Sequence, residues 1–151
     1  MRSNALITLL LVAAAAAPVS AAEPLRLETR ILAEKRVAAA DGTTRVALSP
    51  ATRAGPGDPV VVEVRYRNVG RQSLGGVVIA NPVPRDLAYR APRTGPAPEL
   101  SVDGRSFGPI ASLRVGNRAA TLADVTHVRW RLSDPVTAGG GGEFAFQAVV
   151  R

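Results

Sequence analysis

Residues 59–70 alternate more cleanly than any other stretch of the chain. Val60, Val62, Val64 and Tyr66 fall on one side, while Glu63, Arg65 and Arg67 fall on the other. A period of two, with β-branched and aromatic residues on one side, predicts a half-buried strand. Gly55-Pro56-Gly57-Asp58-Pro59 launches it and Asn68-Val69-Gly70 stops it, because such residues favour tight turns. We expect the remaining strands to pack around this one.

The alternation recurs on either side. Residues 25–37 place Leu25, Leu27, Thr29, Ile31 and Ala33 on one side and mostly charged residues on the other. Their composition also suits a helix, but the apolar spacing fits period two, so a strand is predicted. Asp41-Gly42 turns the chain into a second strand over 43–48. A short strand is expected over 77–80, whereas Pro82 and Pro84 bar residues 81–86 from the middle of a sheet. An extended course resumes at 87–90, and the proline and glycine of 91–98 predict a loop. Asp103-Gly104 is a tight turn, and residues 119–125 suit a short helical turn capped by Thr121. Strands follow at 127–132, with Val128, Trp130 and Leu132 inward, and at 143–150, with Phe144, Phe146, Ala148 and Val150 on one face. The glycines of 139–142 read as a flexible hairpin connection between those strands. Seven or more short strands separated by turns, without a long periodic helix, predict an all-β, antiparallel sandwich.

The first 22 residues belong to a different pattern. A positive start at Arg2, a mainly apolar run over 5–17 and the small residues Ser20, Ala21 and Ala22 form the layout of a secretory signal peptide. Cleavage is expected after Ala21 or Ala22, leaving one domain over 23–151, soluble or peripheral and located in the periplasm or outside the cell. No cysteine follows the apolar run, which excludes a lipid-anchored form of export. The whole chain lacks cysteine, so an exported domain must be held by its core alone. Aromatics make up only 4% of the chain, which leaves valine, leucine, isoleucine and alanine to fill most of that core.

The formal charge is +7, and Lys35 is the only lysine. Such a balance suits an anionic partner. The arginines, however, stand at alternate strand positions rather than in a run, and no aromatic stacking platform lies among them, which argues against nucleic acid. The candidate anion-binding residues are therefore Arg65, Arg67, Arg129 and Arg131, on the outward sides of two strands. Their expected partner is an anionic glycan or lipid surface.

Ala54-Gly55-Pro56-Gly57-Asp58-Pro59-Val60, followed by Tyr66-Arg67-Asn68-Val69-Gly70, resembles the bacterial conserved repeat domain family of unknown function, the DUF-eleven type. The resemblance continues through Val77-Val78-Ile79-Ala80, the corner Asn81-Pro82-Val83-Pro84, Leu87-Ala88-Tyr89, the segment 101–108 and the segment 124–130, and spans roughly residues 48–151. The family's usual corner carries an acidic residue where this chain has Asn81. The resemblance implies an immunoglobulin-like antiparallel β-sandwich, exported to the envelope or beyond, with no catalytic residues. A single copy behind a signal peptide differs from the tandem arrays of larger relatives.

The chain's chemistry offers little for catalysis. His127 is the only histidine, so a histidine metal cluster is excluded and a catalytic triad would need this residue, with Asp124 three positions earlier. No serine sits in a Gly-x-Ser-x-Gly setting, and packing at a strand entry is the favoured role of His127. Asp41, Asp58, Asp86, Asp103 and Asp124 fall in turns without calcium-loop spacing. Trp130, Tyr66 and Phe146 occupy inward registers and are read as core rather than as a carbohydrate groove. No cofactor, metal or catalytic residue is predicted. The expected function is a structural or protein-binding module of the cell envelope, with another envelope protein as partner and either a monomer or a strand-exchanged dimer as the assembled state.

Overall fold

A computed structural model describes residues 24–52 and 54–151; residues 1–22, expected to be a signal peptide, lie outside the described residues. Ten strands follow in order: β1 (Leu25–Ala38), β2 (Thr44–Pro50), β3 (Pro59–Asn68), β4 (Val78–Pro82), β5 (Leu87–Thr94), β6 (Glu99–Ser101), β7 (Arg114–Val115), β8 (Arg118–Ala119), β9 (His127–Arg131) and β10 (Gly141–Val150). The only helical turns among the described residues are short 3-10 pieces at Ile110–Ser112 and Leu122–Asp124. The chain is all-β, as the alternation predicts. Every strand pair is antiparallel.

Two sheets form the body. One has five strands in the order β2-β1-β3-β10-β5, the other three in the order β4-β9-β6, and β7 and β8 make a separate small hairpin. The strand recognised first is central in the larger sheet, as its even-numbered apolar side requires. Val60, Val62 and Val64 pair in register with Ala148, Phe146 and Phe144 of β10. That row faces Ile79, Leu100, Val128 and Trp130 of the smaller sheet in one core cluster. Trp130 stacks on Phe144 at 4.8 Å and 12° and lies 6.5 Å from Phe146, so the few aromatics meet at the centre. Tyr66 continues the stack, 5.4 Å from Phe144.

Three expectations need correction. Pro92 lies inside β5 rather than in a loop, because β5 is one of the two edge strands of its sheet and its pairing with β10 slips next to that residue. A proline on an edge or at a bulge removes no needed ladder donor. Pro82 likewise ends β4, an edge strand of the other sheet, in keeping with its exclusion from a central one. Gly141 and Gly142 are not a flexible connection but the first residues of β10, paired with Arg67 and Tyr66. A Cβ on Gly141 would lie 2.2 Å from the Tyr66 carbonyl oxygen, and one on Gly142 would lie 2.6 Å from the Tyr66 hydroxyl. Close approach of the β3 backbone, not freedom of movement, demands a glycine at 141, while at 142 the Tyr66 side chain occupies the space.

The third correction concerns the outer face of β3. Val61 and Glu63 point away from the core, yet they are only 1% and 8% exposed. Ala145 of β10, opposite Glu63, is also buried. An ion pair between Arg93 of β5 and Glu34 of β1 explains part of this. A contact between those two strands must span β3 and β10, and so it roofs the stretch that holds Val61. The five-stranded sheet therefore buries apolar area on both faces near its middle.

Candidate functional site

The four sequence candidates do not meet. Arg65 and Arg67 stand on the outer face of the larger sheet, whereas Arg129 and Arg131 stand on β9 beside the inward Val128 and Trp130. The two pairs thus lie on opposite outer faces of the sandwich. Most are neutralised in place. Arg65 Nε sits 3.3 Å from Glu143 Oε2 and 2.8 Å from Glu63 Oε1. The contact with Glu63 is close enough for charge pairing but is not aligned as a hydrogen bond, so that buried oxygen receives no hydrogen. Arg129 donates to Glu99 at 2.6 Å and its guanidinium lies 4.1 Å above the Phe107 ring. Arg131 shares Glu99 at 3.4 Å. These arginines hold the Glu99 carboxyl below the usual range, the hydrogen bond from Arg129 contributing most. Arg67 alone among the four has no carboxylate in ion-pairing distance among the described residues.

The hydroxyl and carboxylate that a triad through His127 would need are bound to other partners. The Asp124 carboxylate accepts two hydrogen bonds from Arg118, at 2.6 and 2.7 Å, and one each from the Thr121 amide and hydroxyl, both at 2.8 Å. The bond from Arg118 is the main reason its carboxyl is pushed far down. This network caps the 3-10 turn Leu122–Asp124, placed where Thr121 predicted one. His127 lies beside the Thr126 hydroxyl, 3.0 Å from Nδ1. Its ring rests against Gly104, where a Cβ would come within 2.9 Å. Ser101 pairs with His127 across β6 and β9, but its hydroxyl donates to Asp103 Oδ1 at 3.0 Å. The packing role expected for His127 matches this setting.

The Asp103-Gly104 turn is built tightly. Asp103 Oδ1 accepts the amides of Arg105 and Ser106, each at 2.8 Å. These backbone bonds, Arg105 first, lower its carboxyl to about 2. Because the folded value lies below the unfolded one, the contribution is complete above the ordinary aspartate range and is lost as pH falls through about 2. Amide signals of Arg105 and Ser106 should therefore shift together near that pH in an NMR titration. Independent shifts, or a common midpoint near 4, would count against the turn network. No group of three or more metal-ligating side chains forms among the described residues.

The feature that sequence reasoning undervalued is the β2 edge of the larger sheet. β1 pairs with β3 from Leu25 to Ala33 and with β2 from Leu32 to Ala38. Its distal half and all of β2 thus form a hairpin that extends past the end of β3. β2 is the outermost strand of the five. Val46 and Leu48, on its outer face, are 52% and 41% exposed. Leu27 and Ile31 of β1 point toward the core side but remain exposed, because the smaller sheet has only three strands to cover five. Thr29 bridges the gap by donating to Asn81 Oδ1 of β4 at 2.9 Å. That is the use this chain makes of the asparagine at the corner. The hairpin turn itself is held by Asp41, which accepts from the Thr43 hydroxyl at 2.6 Å and the Thr43 amide at 3.0 Å. No helix of the described residues is long and apolar enough to cross a membrane. No family model, curated protein or solved structure matches this chain.

Proposed function

We propose that this chain is a non-catalytic binding module of the bacterial cell envelope that docks a partner protein by strand addition. The observation that carries the reading is the projecting β1–β2 hairpin. Among the described residues its outer strand has no neighbour on one side, and two exposed apolar side chains lie along it. An extended segment laid against such an edge gains backbone hydrogen bonds, while alternate side chains provide selectivity. Export rests on the pattern of residues 1–22. An immunoglobulin-like strand order and the envelope setting rest on the resemblance to the conserved repeat domain family, whose Tyr-x-Asn-x-Gly motif here forms the corner after β3.

β1 pairs within its own chain, so the purified protein is expected to run as a monomer rather than as a strand-exchanged dimer. The partner reading is tested by crosslinking in intact cells, comparing the wild type with V46K/L48K. Both side chains are exposed, so the double variant should fold with an unchanged melting temperature yet lose its crosslinked partner. A partner captured equally well by the folded double variant would overturn strand addition at this edge.

A further inference from the structure

At the open end of the larger sheet, two arginines face each other without an acid between them. Arg26 of β1 lies directly opposite Arg67 of β3, and on its other flank Arg67 faces Gly141 of β10. Like charges directly across a strand pair repel. The nearest carboxylates on this face are already engaged. Glu28 binds Arg30 at 2.7 Å and Glu143 binds Arg65 at 3.3 Å. Neither Arg26 nor Arg67 has a carboxylate in ion-pairing distance among the described residues, and both side chains are exposed. Counting the outward side chains of these rows, Arg26, Arg30, Arg65 and Arg67 oppose Glu28, Glu63 and Glu143, a net charge of +1.

The surroundings are shaped for a small ligand. Arg26, Arg65 and Arg67 line an open depression of about 780 Å³ together with Glu28 and Glu143, the carboxylates already bound to Arg30 and Arg65. Its floor carries no side chain at Gly141, the residue opposite Arg67. The two guanidinium forks of Arg26 and Arg67 match a tetrahedral oxyanion, whose several acceptor oxygens suit the planar donors of arginine.

From this juxtaposition we infer that the depression between Arg26 and Arg67 binds a phosphate oxyanion, carried either by a free phosphate or by a lipid headgroup. This goes beyond strand addition: it lies on a different part of the sheet, and either can hold without the other. The bound oxyanion relieves the repulsion between the arginines, which makes the site self-consistent in charge. It also narrows the broader expectation for the arginine faces, since of the earlier candidates only Arg67 is central to it.

Thermal unfolding of the purified protein in sodium phosphate, against sodium chloride of equal ionic strength, tests the free-phosphate source. With a dissociation constant near ~1 mM, phosphate at ~20 mM should raise the melting temperature by about 5 °C. The rise should vanish in R26Q and in R67Q and persist in R114Q, which removes an exposed arginine elsewhere. Cosedimentation with vesicles of phosphatidylcholine, with and without phosphatidic acid, tests the headgroup source with the same variants. Loss of either response in R26Q and R67Q alone supports the site and identifies the source. Responses equal in all variants, or no response to phosphate or vesicles, would overturn it. R67E supplies an independent check: in chloride it should melt about 2 °C above the wild type by pairing with Arg26. A lower melting temperature there would refute the repulsion on which the site depends.

Discussion

Asn68→Asp is expected to cost about 3 kcal/mol or more at neutral pH, although it changes one amide nitrogen into an oxygen. Asn68 is fully buried at the end of β3. Its Nδ2 donates to the Gln72 and Val136 carbonyls, at 2.7 and 2.9 Å, while Oδ1 accepts the Gly70 amide at 2.9 Å. Its own amide and carbonyl bond Gly140 and Gly139. One side chain therefore joins the corner after β3 to the loops that lead out of β9 and into β10. An aspartate keeps the acceptor but places a carboxylate oxygen against two carbonyl oxygens, away from water. That arrangement disfavours the charged form, so the folded carboxyl should titrate above its unfolded value. The sign follows: the variant is most stable at low pH and loses stability as pH rises through the raised value. Urea unfolding at pH 4 and pH 7.5 should show a midpoint closer to the wild type at pH 4. An equal loss at both values would show that the donor bonds are not what matters there.

The second large effect is expected at the centre of the core. Trp130→Ala should destabilise by about 3–5 kcal/mol, the usual range for a buried aromatic removed without replacement. Trp130 is 2% exposed and stacks between the sheets on Phe144, and its indole donates to the Pro96 carbonyl at 3.1 Å. Truncation opens a cavity beside Phe144 and Phe146 and leaves that carbonyl without its donor. Trp130→Phe should cost less, because it restores most of the stack and loses the indole bond, worth about 1 kcal/mol. Since Trp130 is the only tryptophan, unfolding of these variants must be followed by circular dichroism. If the phenylalanine variant were as unstable as the alanine variant, the hydrogen bond rather than the stacking would be the main contribution.

Much of this core was legible in the chain because each strand advertises one covered face. Val128 and Trp130 alternate with polar residues and are buried accordingly; Val60, Val62 and Val64 are buried on the side that their period of two predicts, although Val61 and Glu63 between them are buried as well. The Asp41-Gly42 and Asp103-Gly104 turns were legible for a similar reason: their chemistry is local. Thr121 and Asp124, three residues apart, likewise closed their 3-10 turn within one short segment.

Other features depend on contacts between residues far apart in sequence, which no local pattern records. Glu63 reads as a solvent-facing residue, yet Arg93 and Glu34, 59 positions apart, roof the stretch beside it. Pro92 reads as a loop residue until its strand proves to be an edge. Gly141 and Gly142 read as flexible until Tyr66 is found pressed against them. Arg65 is quenched by Glu143, 78 positions away, while Arg26 and Arg67 are left opposed by the register of β1 on β3. The one-sided period of strands, the local turns and the apolar core are thus properties of the chain itself, because their physics acts over a few residues. Which faces are roofed, which edge is free and which charges remain unpaired were decided only by strand order and register, because those bring distant side chains within a few ångströms.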